Sequence, residues 1–188
     1  MAQAPRMASD RPDIYFLVLD SHPSQEALQE FWQHDNRQFT QELENLGFHV
    51  VRDARSRYTK TAHCIYACLN VQHVPTPYDE FPAANEMLSL YYGIQHSAVV
   101  ELLRRHNYEL VNLSLFPLAD QPPFYEYAFS DFRRLRNLVL EGSIWHYYRT
   151  FGWQRSLRQT NLEILERLAQ LPAQAAGRPR FVYAHVLM

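Results

Sequence analysis

Residues 14–19 read IYFLVL, an unbroken apolar run that stops at Asp20. A strand with one solvated face alternates apolar and polar residues. An unbroken run is covered on both faces, the condition of a strand inside a parallel sheet flanked by helices. Ser21, His22 and Pro23 break the run, and a helical pattern follows. Asp35 or Asn36 can cap that helix, Phe39, Leu43 and Leu46 share one face, and Gly47 stops it. Residues 48–51 (FHVV) then predict a second strand. Strand, helix, strand is the repeating unit of an α/β sheet, so the expected fold class is α/β with a mostly parallel sheet.

The rest of the chain fits that class. After a polar, basic loop over 52–60, residues 61–70 (TAHCIYACLN) predict a largely apolar helix. The proline-rich stretch 72–84 predicts a loop. Residues 97–106 predict an amphipathic helix with Val99, Val100, Leu102 and Leu103 inward and Arg104 and Arg105 outward. Residues 108–113 predict a strand, 117–124 a second proline-rich loop, and 129–171 a helical region interrupted near Gly142 and Gly152. Its last part carries Leu162, Leu165, Leu168 and Leu171 as one apolar stripe, read as a core face. Residues 172–179 form a small-residue linker, and 181–187 (FVYAHVL) a final buried strand. Functional groups of such sheets lie just beyond the carboxyl ends of strands. A chain that stops there is expected to continue in a longer protein.

Several function classes are disfavoured. A net charge of -2 gives no electrostatic reason to bind nucleic acid or an anionic membrane. With 5 glycines there is no phosphate-cradling glycine loop, and no P-loop, dinucleotide fingerprint, G-x-S-x-G or H-E-x-x-H is present. No apolar run approaches the ~20 residues that span a bilayer, and residues 1–13 lack the apolar centre of a secretory signal. Cys64 and Cys68 match no zinc or redox spacing and read as small buried apolar side chains.

Position singles out a few residues. Asp20, at the carboxyl end of the first strand, can hold a metal or ligand, or can cap the next helix as a turn residue. Thr61 opens a helix after a loop bearing Arg52, Arg55, Arg57 and Lys60. Helix N-termini suit tetrahedral anions, and a hydroxyl there becomes a nucleophile if a metal lowers its pKa. An ordinary Thr N-cap beside a solvated basic loop is the plainer reading. His22, Arg57, Lys60 and His185 are candidates for contacting substrate. Each has a bland alternative: a surface position for His22, a solvated loop for Arg57 and Lys60, a satisfied core histidine for His185. His63 reads as packing.

In order and spacing, RPDIYFLVLD, DNRQFTQELENLGFHVV and SRYTKTAHCIYACLN resemble the opening of the sulfatase-like family of the alkaline phosphatase superfamily. The bacterial membrane-associated sulfatase/phosphoglycerol-transferase-like proteins are the most similar branch. PRFVYAHVLM is similar to the family strand that precedes a histidine- and proline-containing active-site loop. The likeness covers residues 11–70 and the final strand.

The resemblance implies an alkaline phosphatase-like three-layer sandwich with a mostly parallel central sheet, truncated at its C-terminal side. Residues 1–10 are then a flexible N-terminus, and 11–188 the N-terminal portion of the domain. It implies a divalent metal (zinc, manganese, magnesium or calcium) with Asp20 and Thr61 as ligands. Thr61 doubles as the nucleophile, at the position where sulfatases carry the cysteine that becomes formylglycine. Neither Cys64 nor Cys68 is followed by the x-P-x-R that this modification needs, and Ser21 stands where sulfatases have a second Asp. The implied substrates are small-molecule, lipid or glycan phosphate or sulfate esters. The implied location is the extracytoplasmic face of a bacterial membrane, with membrane association only through segments outside this chain. The family's other Asp and His ligands come from the C-terminal half, so this chain alone is expected to bind metal poorly. Two further readings compete. One is a non-catalytic domain that retains the fold. The other is an unrelated α/β domain, in which the Asp20 and Thr61 side chains lie far apart; the enzyme reading needs them to converge.

Overall fold

The computed structural model describes residues 11–52, 54–74, 84–125, 157–174 and 177–187. The expected flexible N-terminus (1–10), most of the loop over 72–84 and the helical stretch over 129–156 lie outside them. Three strands, β1 (Ile14–Asp20), β2 (Glu109–Leu113) and β3 (Arg180–Leu187), form a sheet of order β1-β3-β2. Both pairings are parallel. The described helices are α1 (Gln25–Trp32), α2 (Arg37–Asn45), α3 (Thr61–Asn70), α4 (Ala84–Gln95), α5 (Ala98–Arg105) and α6 (Leu157–Gln170), with a 3-10 turn at Leu171–Ala173. No described helix is long and apolar enough to cross a membrane.

Alternate residues of β3 feed two cores, as the two-residue period of a strand demands. Phe181 and Tyr183 join Ala62, Ile65 and Leu69 of α3, Ile94 of α4, and Val100 and Leu103 of α5. Val182, Ala184 and Val186 join Leu113 of β2, Ile164 of α6 and Leu171. Helices thus cover both faces of β3, which explains its continuous apolar sequence.

Local signals hold where the chemistry is local. The α2 helix stops in a Schellman motif: Gly47 has φ +92°, its N–H donates to Glu44 O, and the Phe48 N–H donates back to Leu43 O. Asn36 is the N-cap, while Asp35 accepts from the Arg37 backbone and guanidinium.

Five expectations need correction. The run 14–19 forms a strand, but it lies at the edge of the described sheet and is not covered on both faces: Tyr15 is 38%, Leu17 52% and Leu19 41% exposed. Residues 48–51 form no strand; Phe48 is 59% and Val51 61% exposed. A four-residue apolar run becomes a strand only by finding a ladder partner, and β1 pairs instead with β3. The outer edge of β1 therefore carries no strand among the described residues. On the opposite edge, the Gln121 side chain bonds the β2 backbone at Leu110 O and Asn112 N. In α6 the buried positions are Thr160 and Ile164, while Leu162 and Leu165 face solvent. Leu102 of α5 is likewise exposed, and so is Cys68.

The contact between α3 and α4 is close enough to predict a sign. A Cβ on Gly93 would overlap Cε2 of Tyr66 and lie 2.9 Å from its Cδ2. That ring cannot easily give way, because its hydroxyl accepts from Gln72 and Asn70 ties α3 to the Gly93 carbonyl. Gly93→Ala gains about 1 kcal/mol of helix propensity but overpacks a buried contact at about 1–3 kcal/mol. Urea unfolding of the variant should show a lower midpoint; an equal or higher one would mean the ring moves freely.

Candidate functional site

The register of β1 on β3 builds the site. Val18 lies opposite His185 and Asp20 opposite Leu187, both near the carboxyl ends of their strands. Ser21 then takes a left-handed conformation (φ 64°), and the His22 N–H donates to Leu19 O, turning the chain off the strand end. A serine there is sparsely populated geometry of the kind that gathers at functional sites.

At that edge three side chains meet. The Thr61 hydroxyl donates to Asp20 Oδ2 at 3.1 Å, and His185 Nε2 lies 3.1 Å from the same oxygen. His185 is fully buried, whereas the Asp20 side chain is 24% exposed and Thr61 is half-buried. The hydrogen bond from His185 is the main reason the Asp20 carboxyl sits below its usual value; burial opposes it, and bonds from Thr61 and the Ser21 backbone add to it. The carboxylate is therefore ionised at neutral pH. Both side-chain bonds fall on Oδ2, leaving Oδ1 unused by either.

The two capping alternatives do not describe these residues. Ser24, not Asp20, caps α1, accepting from the Ala27 N–H at 3.2 Å. Lys60, not Thr61, is the N-cap of α3 and makes no side-chain cap bond. Thr61 is the first residue of the helix and turns its hydroxyl onto Asp20. Within the first turn the His63 N–H donates to Lys60 O, and the positive dipole end of α3 lies beside Thr61.

The other candidates are placed differently. The His22 ring packs on Phe39 of α2 at 6.0 Å between centroids. Arg57 is exposed in the loop, and Lys60 is half-buried beside Thr61. Among the described residues no hydrogen bond joins His22 or Arg57 to Asp20, Thr61 or His185. His63 is buried against the Tyr58 ring, as the packing reading expects. Sequence reasoning missed Tyr183, whose hydroxyl lies 3.0 Å from His185 Nδ1 in the interior. Its signal was available: residues two apart on a strand share a face, so Tyr183 must lie beside any functional His185.

A divalent cation can be tested against these donors. Two oxygens bound to one ion at about 2.1 Å sit roughly 3.0–3.4 Å apart. The Asp20 and Thr61 oxygens, at 3.1 Å, match one edge of such a shell. Among the described residues no group of three or more His, Cys, Asp or Glu side chains is placed to share an ion. The pair fits a metal site as two hard oxygen donors, not as a whole cage.

No family model, curated protein or solved structure matches this chain.

Proposed function

We propose that this domain belongs to a metal-dependent hydrolase or transferase acting on phosphate or sulfate esters, with Thr61 as the nucleophile. The observation that carries this reading is the 3.1 Å approach of Thr61 Oγ1 to Asp20 Oδ2 across 41 residues of chain. Two residues singled out as ligand and nucleophile meet at the carboxyl edge of a parallel sheet, where α/β folds bind ligands. A divalent cation held by Asp20 and Thr61 would lower the hydroxyl pKa and neutralise charge growing on the ester oxygens.

The chain's own residues do the rest. Asp20 fixes the rotamer of Thr61. The positive dipole end of α3, beside Thr61, would favour the tetrahedral anion. Thr61 gives its hydroxyl proton to solvent, and Oγ1 attacks phosphorus or sulfur in line. The P–O or S–O bond to the leaving group breaks as the bond to Oγ1 forms, and the leaving alkoxide takes a proton from solvent. Water or an acceptor alcohol then displaces the threonine oxygen and completes hydrolysis or transfer. Lys60, next to Thr61 in the chain, is the first candidate for contacting substrate, with Arg57 and His22 as further candidates. Lipid or glycan esters at the extracytoplasmic face of a bacterial membrane are the substrates and setting that the sequence resemblance supports.

A second reading has its own support. Ser21, standing where sulfatases have a second Asp, favours a non-catalytic domain that keeps the geometry without turnover. Incubating the protein with Mn2+ or Zn2+ and bis(p-nitrophenyl) phosphate, p-nitrophenyl phosphate and p-nitrophenyl sulfate separates the two. The enzyme reading expects release of p-nitrophenol that Thr61→Ala removes and Thr61→Ser partly keeps. No release from any ester supports the non-catalytic domain, and equal release by Thr61→Ala removes Thr61 as the nucleophile.

A further inference from the structure

Behind Asp20 lies a polar thread that the chemistry above does not use. Tyr183 and His185 stand two apart on β3 and share one face. Both are 0% exposed. The Tyr183 hydroxyl sits 3.0 Å from His185 Nδ1, and His185 Nε2 sits 3.1 Å from Asp20 Oδ2. Phe16 packs on the Tyr183 ring at 5.1 Å, and Phe116 meets the His185 ring edge-on at 6.1 Å. A buried phenol and imidazole in an apolar core cost stability unless every polar atom is engaged. Here they are engaged in series, and the series ends on the carboxylate.

The donor and acceptor rules leave one arrangement for a neutral ring. An ionised carboxylate can only accept, so Nε2 carries the proton. Nδ1 is then the acceptor, and the Tyr183 hydroxyl donates to it. Burial pushes the Tyr183 phenol well above its ordinary value, which keeps it a donor.

We infer that Tyr183 and His185 are positioning residues, a buried Tyr–His relay that fixes one histidine tautomer and so holds the Asp20 carboxylate aimed at Thr61. His185 is thereby a partner of Asp20 rather than a group that meets substrate. The functional consequence rests on Asp20 being a metal ligand; the relay itself does not. Ligating carboxylates are held in this way by outer partners, and losing such a partner costs metal affinity without removing a ligand.

Two measurements on the whole chain decide it. The first needs no metal. Long-range 1H–15N correlation at mildly alkaline pH should show His185 protonated at Nε2 only. Protonation at Nδ1 would overturn the relay. The second is Mn2+ titration by calorimetry on the wild type, His185→Phe, His185→Gln and Tyr183→Phe, with circular dichroism to check folding. His185→Phe keeps the ring shape but removes the donor, and should weaken binding about 10–100-fold. The glutamine amide can still reach Asp20, so His185→Gln should stay within about threefold of the wild type, with Tyr183→Phe between the two. Equal losses in the phenylalanine and glutamine variants would reduce His185 to packing. If the wild type binds no Mn2+, the metal reading fails on its own, while the tautomer still decides whether the relay exists.

Discussion

Asp20→Asn is expected to weaken Mn2+ binding by more than the roughly 10–100-fold that losing an outer partner costs, because it removes the one charged oxygen donor of the pair. Asparagine keeps the size of the side chain, so the loss reports charge rather than a cavity. The same variant has a second signature in the metal-free protein. The Asp20 carboxyl titrates below its ordinary value of 3.8, chiefly through the His185 hydrogen bond. A depressed carboxyl binds its proton less well folded than unfolded. Its contribution to stability is therefore present above the unfolded value and is lost as pH falls through the folded one. Asp20→Asn should flatten the acid limb of the stability curve, read as urea midpoints from neutral pH downward. Unchanged Mn2+ affinity would remove Asp20 from the metal site. An acid limb identical to the wild type would mean the His185 bond is not maintained in solution.

The second large effect concerns the far face of the sheet. Ile164 is 0% exposed and packs with Leu171, Val182, Ala184 and Val186, whereas Leu162 and Leu165 are 45% and 50% exposed. Ile164→Ala deletes buried methyl groups and leaves a cavity, a cost of about 2–5 kcal/mol against a total stability on the order of 5–15 kcal/mol. Leu162→Ala and Leu165→Ala lose little burial and should stay within about 0.5 kcal/mol of the wild type. Urea unfolding of the three variants distinguishes the faces. If Leu162→Ala costs as much as Ile164→Ala, α6 is rotated from the orientation described. Should Ile164→Ala not fold, Ile164→Val, at about 0.5–1.5 kcal/mol, answers the same question.

The α6 helix also shows why burial was harder to read than helicity. A leucine at every third position makes a convincing stripe, but that spacing drifts around a helix of 3.6 residues per turn. The face that packs on β3 follows the four-residue rows from Thr160 through Ile164 to Leu168. A threonine and one isoleucine among exposed leucines carry no mark of being the inner side. The α1 helix escaped notice for a related reason. It buries no residue and lacks a glycine stop such as Gly47, which marks α2 although that helix also buries none.

What the sequence determined alone are the features whose physics is local. Gly47 stops α2 because a left-handed residue closes the Schellman bonds. Residues 61–70 and 97–106 carry their own helical spacing, and the apolar run 181–187 is a strand buried on two faces, whereas the run 14–19 is a strand with one exposed face. It also marked Asp20 and Thr61 by their places at element ends. Only the tertiary structure decided which strand lies beside β1. The pairing joins Ile14 to Phe181, and no periodicity within either run encodes a partner so far along the chain. That choice passed over residues 48–51 and delivered His185 to Asp20 across 165 residues. The register matters as much as the partner. Strand side chains alternate faces, so a slip of one residue would send Tyr183 and His185 to the α6 side and leave Asp20 without its donor.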